Sequence, residues 1–281
     1  MQDKNQLNHL SNDQKHFFKD HGYLILNRFF DHSECDALIE RMNIIVDEFS
    51  RQPSHQSVFS TITHPQKKDQ YFLESAHKIH YFFEEDCIGS DGQPDRPLPL
   101  AINKVGHSLH RDDPVFNKFC HQDRIRQLVH SLDFQLEPEI IQSMYIFKQP
   151  EIGGEVLPHQ DSTFIQTKPD RVLGMWLALD DADRANGCLW GLPGQSTESP
   201  KVLFNRNGNS CTIEVIDPTP WDPDKFEALE VPKGSIILFD GHFPHLSHSN
   251  QSQRSRHAFT LHFIDKSCHY LPQNWIPLRH D

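Results

Sequence analysis

The second half of the chain alternates short β-prone segments with turn residues, and this pattern restricts the fold more than any other feature of the sequence. From Glu139 onward the segments are IIQSMYIFK, VLGMWLALD, GCLWGLP, SCTIEVID, GSIILFD and HAFTLHFID, separated by Pro, Gly, Asn and Asp residues. Short strands joined by such turns are typical of a β-sandwich or a jelly roll. We therefore predict that this half folds as a mostly β core.

One connection in this half has the sequence of a tight hairpin. Asn186-Gly187 is a pair that readily adopts the positive φ angles of a two-residue turn. We therefore predict that VLGMWLALD pairs antiparallel with CLWGLP across this connection.

The first part of the chain carries helix signals. Ser11 and Gln14 form a capping box, and Asp31 and Glu34 repeat the pattern before a run of apolar residues at helical spacing that continues to about Phe49. These signals predict an amphipathic helix after each box.

The remaining segments of the first part are a mixture. Residues 23–26 read as a short strand, and the proline-rich stretch 51–100 predicts long loops with one further short strand. Apolar residues return every three or four positions between residues 114 and 136, which predicts a last helical face.

Length and composition indicate a single domain. A chain of 281 residues with 36% hydrophobic residues can bury a large core. We predict one domain over residues 1–281, mostly β with flanking helices, with a helical part to about residue 136 and the jelly-roll core at about 137–265.

Charge and cysteine usage exclude several classes of partner. The net charge of −12 disfavours nucleic acid, and no apolar window is long enough for a membrane span. The six cysteines are scattered without a C-x-x-C pair, as expected for reduced thiols. We expect a cytoplasmic monomer that acts on a small molecule.

The tripeptide His-x-Asp occurs three times in the chain. With 20 histidines and 25 aspartates, about two matches are expected by chance, so the pattern alone is a weak signal. His110/Asp112 lies in a turn-like segment before a proline, and His121/Asp123 lies in a predicted helix, where the two side chains would diverge. We interpret these two pairs as chance matches.

The third pair, His159/Asp161, lies in a more favourable place. It follows a glycine pair and precedes a β-prone run at residues 162–165. In an extended strand, residues i and i+2 point to the same face, so both side chains could bind one ion. We therefore interpret His159 and Asp161 as metal ligands.

A third ligand must come from another strand, and three histidines of the segment GSIILFDGHFPHLSHSN compete for this role: His242, His245 and His248. Two histidines and one carboxylate on one face of an octahedron leave positions open, which suits Fe(II) with a chelating co-substrate and O₂. A structural zinc site would instead be closed.

Arg256 follows His245 by eleven residues, in a strand whose apolar and polar residues alternate. Its guanidinium fork could hold the far carboxylate of a dicarboxylic acid through two hydrogen bonds. The alternative interpretation is a surface cation beside Arg254.

Four long segments resemble the phytanoyl-CoA dioxygenase family. They are NKVGHSLHRDDPVF from Asn103, QSMYIFKQPEIGGEVLPHQDSTF from Gln142, VLGMWLALDDADRANGCLWGLPG from Val172, and GSIILFDGHFPHLSHSNQSQRSRHAFTLHF from Gly234. The resemblance covers nearly the whole chain. It implies a double-stranded β-helix, a cupin-like jelly roll.

The resemblance also implies a ligand set and a reaction. The metal ligands, which are also the catalytic residues, would be His159, Asp161 and His245, since His245 stands at the motif's position four residues after Gly241. The reaction would decarboxylate 2-oxoglutarate to succinate and CO₂ and hydroxylate a small organic substrate. It would use Fe(II) and O₂, with ascorbate as a candidate reductant.

Further co-substrate residues are implied by the same resemblance. The 2-oxoglutarate pocket would be formed by Lys104, Met144, His159, Asp161, Trp176 and Arg256. Because related halogenases replace the carboxylate ligand with a small residue, Asp161 favours hydroxylation. One departure is Pro193-Gly194-Gln195-Ser196, where many relatives have Pro-Gly-Ser-His.

Two other functions compete with the oxygenase. The first is a catalytically silent, cupin-like protein that binds a metal or metabolite, against which the intact ligand set argues. The second is a zinc hydrolase, which would need a general base, and the sequence contains no H-E-x-x-H motif.

Overall fold

The structure, a computed structural model, describes residues 9–51, 57–60, 69–90, 94–132, 137–194 and 199–279. The helices are α1 (Asn12–His21), α2 (His32–Ser50), α3 (Gln70–Glu74), α4 (Leu98–Ala101), α5 (Leu109–Asp112), α6 (Pro114–Cys120) and α7 (Asp123–His130). Gln195 and Ser196, at which the sequence departs from many relatives, lie outside the described residues, as do residues 133–136 of the last predicted helical stretch.

The strands, in chain order, are β1 (Tyr23–Leu26), β2 (Ile79–Phe83), β3 (Ile102–His107), β4 (Pro138–Ile146), β5 (Val156–His159), β6 (Thr167–Lys168), β7 (Val172–Ala178), β8 (Leu189–Gly191), β9 (Val202–Asn207), β10 (Ser210–Val215), β11 (Glu227–Leu229), β12 (Ile236–Asp240), β13 (His245–Ser247), β14 (Ala258–Asp265) and β15 (His269–Tyr270). Among the helices of the described residues, none has both the length and the apolar character needed to cross a bilayer.

Two sheets form the centre of the molecule. The main sheet has seven antiparallel strands in the order β1-β12-β7-β14-β4-β3-β2, and the minor sheet has four in the order β11-β8-β13-β5. Trp176 and Ile237 of the main sheet share an apolar cluster with Leu189 and Leu229 of the minor sheet, so the two sheets pack face to face. The prediction of a mostly β jelly roll with flanking helices is therefore confirmed.

Helices cover the other face of the main sheet. Leu38 and Met42 of α2 belong to one buried cluster with Phe259, Leu261 and Phe263 of β14. Each fully buried side chain of this kind contributes roughly 1.5–3 kcal/mol. Because helices cover one face and the minor sheet covers the other, every residue of β7 and β14 is buried.

The predicted helix starts are confirmed by their caps. The Ser11 hydroxyl accepts the Gln14 N–H at 3.2 Å, and the Ser11 N–H donates to the Gln14 side chain at 2.9 Å. The Asp31 N–H donates to the Glu34 carboxylate at 3.1 Å at the start of α2. Satisfying these backbone groups stabilises each helix end by about 1 kcal/mol.

The hairpin predicted at Asn186-Gly187 is wrong. Strand β7 pairs with β12 and β14 in the main sheet, whereas β8 pairs with β11 and β13 in the minor sheet. Gly187 has a φ of 82°, but the Asn186 side chain accepts the Asp183 N–H at 2.8 Å and donates to the Asp181 carbonyl at 2.8 Å. Asn186 and Gly187 therefore form a turn in the connection that leads from the main sheet to the minor sheet.

The first 136 residues contribute more than helices. Strands β1, β2 and β3 join the main sheet, and β1 has the bounds predicted for it. Strand β3 was not predicted as a strand, and it carries Lys104 into the main sheet. The predicted domain limits remain a prediction.

Candidate metal centre

The structure brings together His159, Asp161 and His245. One ligand atom from each lies within 4.8 Å of the other two, and no other such group of three is found among the described residues. His159 ends β5 and lies opposite His245, the first residue of β13, across an antiparallel pair. The two histidines are therefore positioned by one rung of the minor sheet.

Asp161 is positioned by the turn that follows β5. Gln160 keeps an extended backbone, with φ −122° and ψ 141°, so residues 159 and 161 still project to the same side. The expected β-prone run does not follow, because Asp161–Thr163 forms a short 3-10 helix instead. This turn ends the strand and leaves Asp161 at its edge.

Backbone carbonyls orient both imidazole rings. His159 Nδ1 lies 2.9 Å from the Leu157 carbonyl oxygen, and His245 Nδ1 lies 3.0 Å from that of Phe243. A carbonyl can only accept, so each Nδ1 carries a proton, and in the neutral ring Nε2 keeps its lone pair. His245 Nε2 is 3.9 Å from Asp161 Oδ1.

The charge states of these groups suit a divalent cation. Burial and, to a smaller extent, the nearby His245 ring lower the pKa of His159 to about 3, so this imidazole is neutral at physiological pH. Burial alone would raise the pKa of Asp161, but three neighbouring histidine rings lower it more, and it lies below its ordinary value. Neutral imidazoles and an ionised carboxylate are the forms that bind metals.

The two competing histidines lie outside the cluster. His242 Nε2 is 3.7 Å from the Asp170 carboxylate, and His248 Nδ1 is 3.5 Å from that of Glu155. His248 also contacts the Trp190 ring at 5.2 Å between centroids.

The other two His-x-Asp pairs are also separate from the centre. His110 Nδ1 lies 2.8 Å from the Ser143 hydroxyl, and His121 bonds back to its own helix through the Asn117 carbonyl at 2.9 Å. Interpreting these pairs as chance matches agrees with the geometry.

Arg256 is a buried cation with neutral partners. Its side chain donates through Nε to the Gly187 carbonyl at 3.1 Å and through Nη2 to the Ser247 hydroxyl at 3.4 Å. Within the described part of the chain, Nη1 is buried and has no hydrogen-bond partner. Burial lowers the pKa of Arg256 to about 10, so it is charged at neutral pH. Only 2% of the residue is exposed, which excludes the surface interpretation.

Arg256 and Arg254 differ although they are two residues apart. Arg254 is exposed and pairs with the Asp183 carboxylate at 2.6 Å. The Arg256 guanidinium instead lies 5.2 Å from the centre of the Trp176 ring.

The predicted co-substrate residues Met144 and Trp176 share the inner face of the main sheet. Both lie directly opposite Thr260 of β14, one on each side. Opposed residues of adjacent strands project to the same face. Trp176 is buried, and its Nε1 has no partner among the described residues.

Lys104 lies on β3, two strands from β14, in the same antiparallel sheet. Its Nζ is 3.3 Å from the centre of the Phe59 ring. Burial lowers its pKa to about 7, although Glu84 opposes this shift. The ammonium group of Lys104 can therefore lose its proton, and with it its charge, near neutral pH.

Sequence reasoning missed one residue at the centre, His262. Its Nε2 lies 3.1 Å from Asp161 Oδ2, and it is 5% exposed. A signal was present, because Arg256, Ala258, Thr260 and His262 alternate with apolar residues and so share a face.

A jelly roll that carries two histidines and one carboxylate as an open ligand set is the architecture of the non-haem iron, 2-oxoglutarate-dependent oxygenases. A family model described as phytanoyl-CoA dioxygenase (PhyH) matches residues 18–258. The chain belongs to the phytanoyl-CoA dioxygenase family and is an oxygenase of this iron-dependent class.

Relatives match over nearly the whole chain. The phytanoyl-CoA dioxygenase of Arabidopsis thaliana is 41% identical over 268 residues, which are 95% of this chain and 93% of the relative. The phytanoyl-CoA dioxygenase domain-containing protein 1 of Mus musculus is 40% identical over 277 residues, with coverages of 95% and 94%. The resemblance seen in the sequence is confirmed.

Solved structures share the fold. The non-haem α-ketoglutarate-dependent carbocyclase SnoK from nogalamycin biosynthesis aligns with a TM-score of 0.67 at 17% identity, covering 98% of this chain and 96% of that one. EctD from S. alaskensis, solved with 2-oxoglutarate and 5-hydroxyectoine, aligns with a TM-score of 0.62 at 19% identity, covering 92% and 77%.

Proposed function

We propose that this oxygenase binds Fe(II) through His159, Asp161 and His245, binds 2-oxoglutarate through Arg256, and hydroxylates a small organic substrate with O₂. The observation that carries the proposal is the buried guanidinium of Arg256, whose Nη1 lacks a partner in the described residues. Leaving such a donor unpaired costs about 1–3 kcal/mol or more for a charged group. A carboxylate from the co-substrate would remove this cost.

The donor set fits a ferrous ion. One atom each of His159, Asp161 and His245 lies within 4.8 Å of the others, and the Nδ1 contacts of both rings leave Nε2 as the nitrogen that can bind an ion. Three protein ligands leave positions for a bidentate co-substrate and for O₂. Bound Fe(II) and 2-oxoglutarate would together supply the oxidation of a C–H bond, with succinate and CO₂ as by-products.

The protein's own side chains would orient the co-substrate and neutralise its negative charge. Arg256 would pair with the distal carboxylate of 2-oxoglutarate, and Nε and Nη2 already fix the plane of its guanidinium. Fixing this plane in advance reduces the entropy lost when the carboxylate binds. Arg256 would thus be preorganised to hold the distal carboxylate.

The inner face of the main sheet would line the co-substrate. Trp176 can donate its unpaired Nε1 hydrogen and exclude water with its ring, and Met144 can pack beside the carbon chain. Lys104 would add positive charge near the dianion while it is protonated. These roles rest on the family resemblance and on the shared face of the sheet.

We also propose a monomer in the cytoplasm. All six cysteines are free thiols and five are buried, which supports a reducing compartment. Apart from Ile213, Val215 and Ile216, which lie together at the end of β10, the exposed large apolar side chains of the described residues come from separate segments, among them Ile44, Leu100 and Leu278. Elution in size-exclusion chromatography at the single-chain mass of 32.7 kDa would test the oligomeric part.

The deciding experiment measures succinate released from 2-oxoglutarate in the presence of Fe(II) and a fractionated metabolite extract. We expect release above the extract-free background for the wild type and none for His159→Ala. His248→Ala is the matched control, since His248 lies on the same segment as His245 but outside the cluster. It should retain the wild-type signal.

Two results would contradict the proposal. Equal release by His159→Ala and the wild type would show that the signal does not come from iron at this centre. Tight binding of 2-oxoglutarate with no release for any fraction would favour the silent metabolite-binding alternative.

A further inference from the structure

His262 lies behind the candidate metal centre and has no role in the proposed function. Its Nε2 is 3.1 Å from Asp161 Oδ2, and both residues are buried. Its other ring nitrogen, Nδ1, has no hydrogen-bond partner among the described residues. Within the described part of the chain, the close polar contact of this buried imidazole is thus with the carboxylate of the cluster, and its second nitrogen is unpaired, which is unusual because buried polar groups are generally paired.

The main sheet sets this contact. His262 of β14 lies directly opposite Gly174 of β7, so both face the interior. A Cβ atom at position 174 would lie 2.7 Å from Asp161 Oδ2 and would also overlap the Phe239 ring. Gly174 therefore leaves the space in which the Asp161 carboxylate sits beside His262.

The two oxygens of Asp161 face different neighbours. Oδ2 faces His262 Nε2 at 3.1 Å, whereas Oδ1 faces His245 Nε2 at 3.9 Å. The 3.1 Å separation is within the range of a hydrogen bond, although Oδ2 has no aligned donor among the described residues in this conformation. One oxygen is thus directed to the sheet and the other to the centre of the cluster.

We propose that His262 is a positioning residue that donates its Nε2 hydrogen to Asp161 Oδ2 and so fixes Asp161 as a ligand through Oδ1 alone. This inference rests on the proposed function, because it requires an ion bound by His159, Asp161 and His245. Hydrogen bonds to a ligating carboxylate orient it and tune its donor strength. Holding Oδ2 also keeps Asp161 from occupying a second coordination position, which the co-substrate and O₂ need.

The test measures the affinity for Co(II) alone, by the visible absorption of the bound ion, without co-substrate. In His262→Gln the amide nitrogen reaches the position of Nε2, whereas in His262→Asn it falls short. We expect about 10–100-fold weaker Co(II) binding and an altered spectrum for His262→Asn. His262→Gln should stay within about threefold of the wild type, since it keeps the donor.

His110→Asn is the matched control, because His110 is a buried histidine bonded to Ser143 rather than to Asp161. It should leave Co(II) affinity unchanged, and thermal unfolding of each metal-free variant reports whether it folds. Wild-type affinity in His262→Asn, or equal losses in the Gln and Asn variants, would overturn the positioning role while the proposed function stands. A wild-type protein that binds no Co(II) would instead contradict the proposed function, and this inference with it.

Discussion

The two faces of β14 have different tasks. Phe259, Leu261 and Phe263 pack into the cluster under the helices, whereas Thr260 and His262 face the interior between the sheets. From Phe259 to Phe263 the outer face is apolar and buried. On the inner face, Thr260 donates its hydroxyl hydrogen to the Met144 carbonyl, whereas Nδ1 of the buried His262 has no partner among the described residues. Alternate residues of one strand therefore have different roles: those on the outer face stabilise the fold, and those on the inner face serve the metal centre.

The largest effect is expected on the inner side of the molecule, from His245→Ala. Loss of a residue that hydrogen-bonds to a metal ligand typically lowers activity by about 10–100-fold. Removing a ligand itself should lower Fe(II)-dependent succinate formation by more than this. The metal-free protein should unfold at nearly the wild-type temperature. Substantial residual activity would show that His245 is not a ligand.

The opposite result is expected on the outer face, from Phe259→Ala. This side chain is fully buried, so its loss should reduce the free energy of unfolding by about 3–5 kcal/mol. Co(II) affinity per folded molecule should not change. Urea unfolding and a metal titration on the same preparation measure the two quantities, and a loss of affinity without a loss of stability would contradict the separation of the faces.

Arg256→Leu sharpens the comparison, because a buried residue should here affect binding more than stability. The KM for 2-oxoglutarate should rise about 30–100-fold, as expected for loss of a charge-assisted pair. Arg256 has no ion-pair partner among the described residues, so removing its buried charge should leave the stability of the co-substrate-free protein unchanged or higher. A large loss of stability with an unchanged KM would place Arg256 with the structural residues.

The smallest effect concerns pH. The pKa of Lys104 is lowered to about 7, so its positive charge is present below that pH and is lost above it. If Lys104 faces the dianion, kcat/KM for 2-oxoglutarate should fall by about 3–10-fold as pH rises through this value. Lys104→Met, which keeps the length but not the charge, should flatten this part of the profile. An identical profile in both proteins would remove Lys104 from the pocket.

Much of the fold could be predicted from local pattern. Capping boxes at Ser11 and Asp31 mark helix starts because their hydrogen bonds involve neighbours three residues away. The hairpin at Asn186-Gly187 failed because turn preference says nothing about which sheet each flanking strand joins. That choice depends on long-range pairing, which the turn residues do not encode.

The site shows the same division. The His159-x-Asp161 spacing was readable because extended backbone continues through residue 160. The choice of His245 over its two neighbours needed the family resemblance, since only the register between β13 and β5 sets it opposite His159. The alternation of polar and apolar residues places Arg256 and His262 on one face. It does not report the burial of Arg256 or the contact of His262 with Asp161, because both depend on packing between the sheets.

The position of β5 has a consequence for the lifetime of the folded state. This four-residue strand lies at the end of the minor sheet and pairs with β13, where His159 meets His245. An ion bound by residues of both strands would link them through metal–ligand bonds at a pairing that contains only His159↔His245 and Val156↔Ser247. Removal of the ion by a chelator should therefore speed amide hydrogen exchange and proteolysis around residues 156–159, at conditions in which the main sheet is still protected.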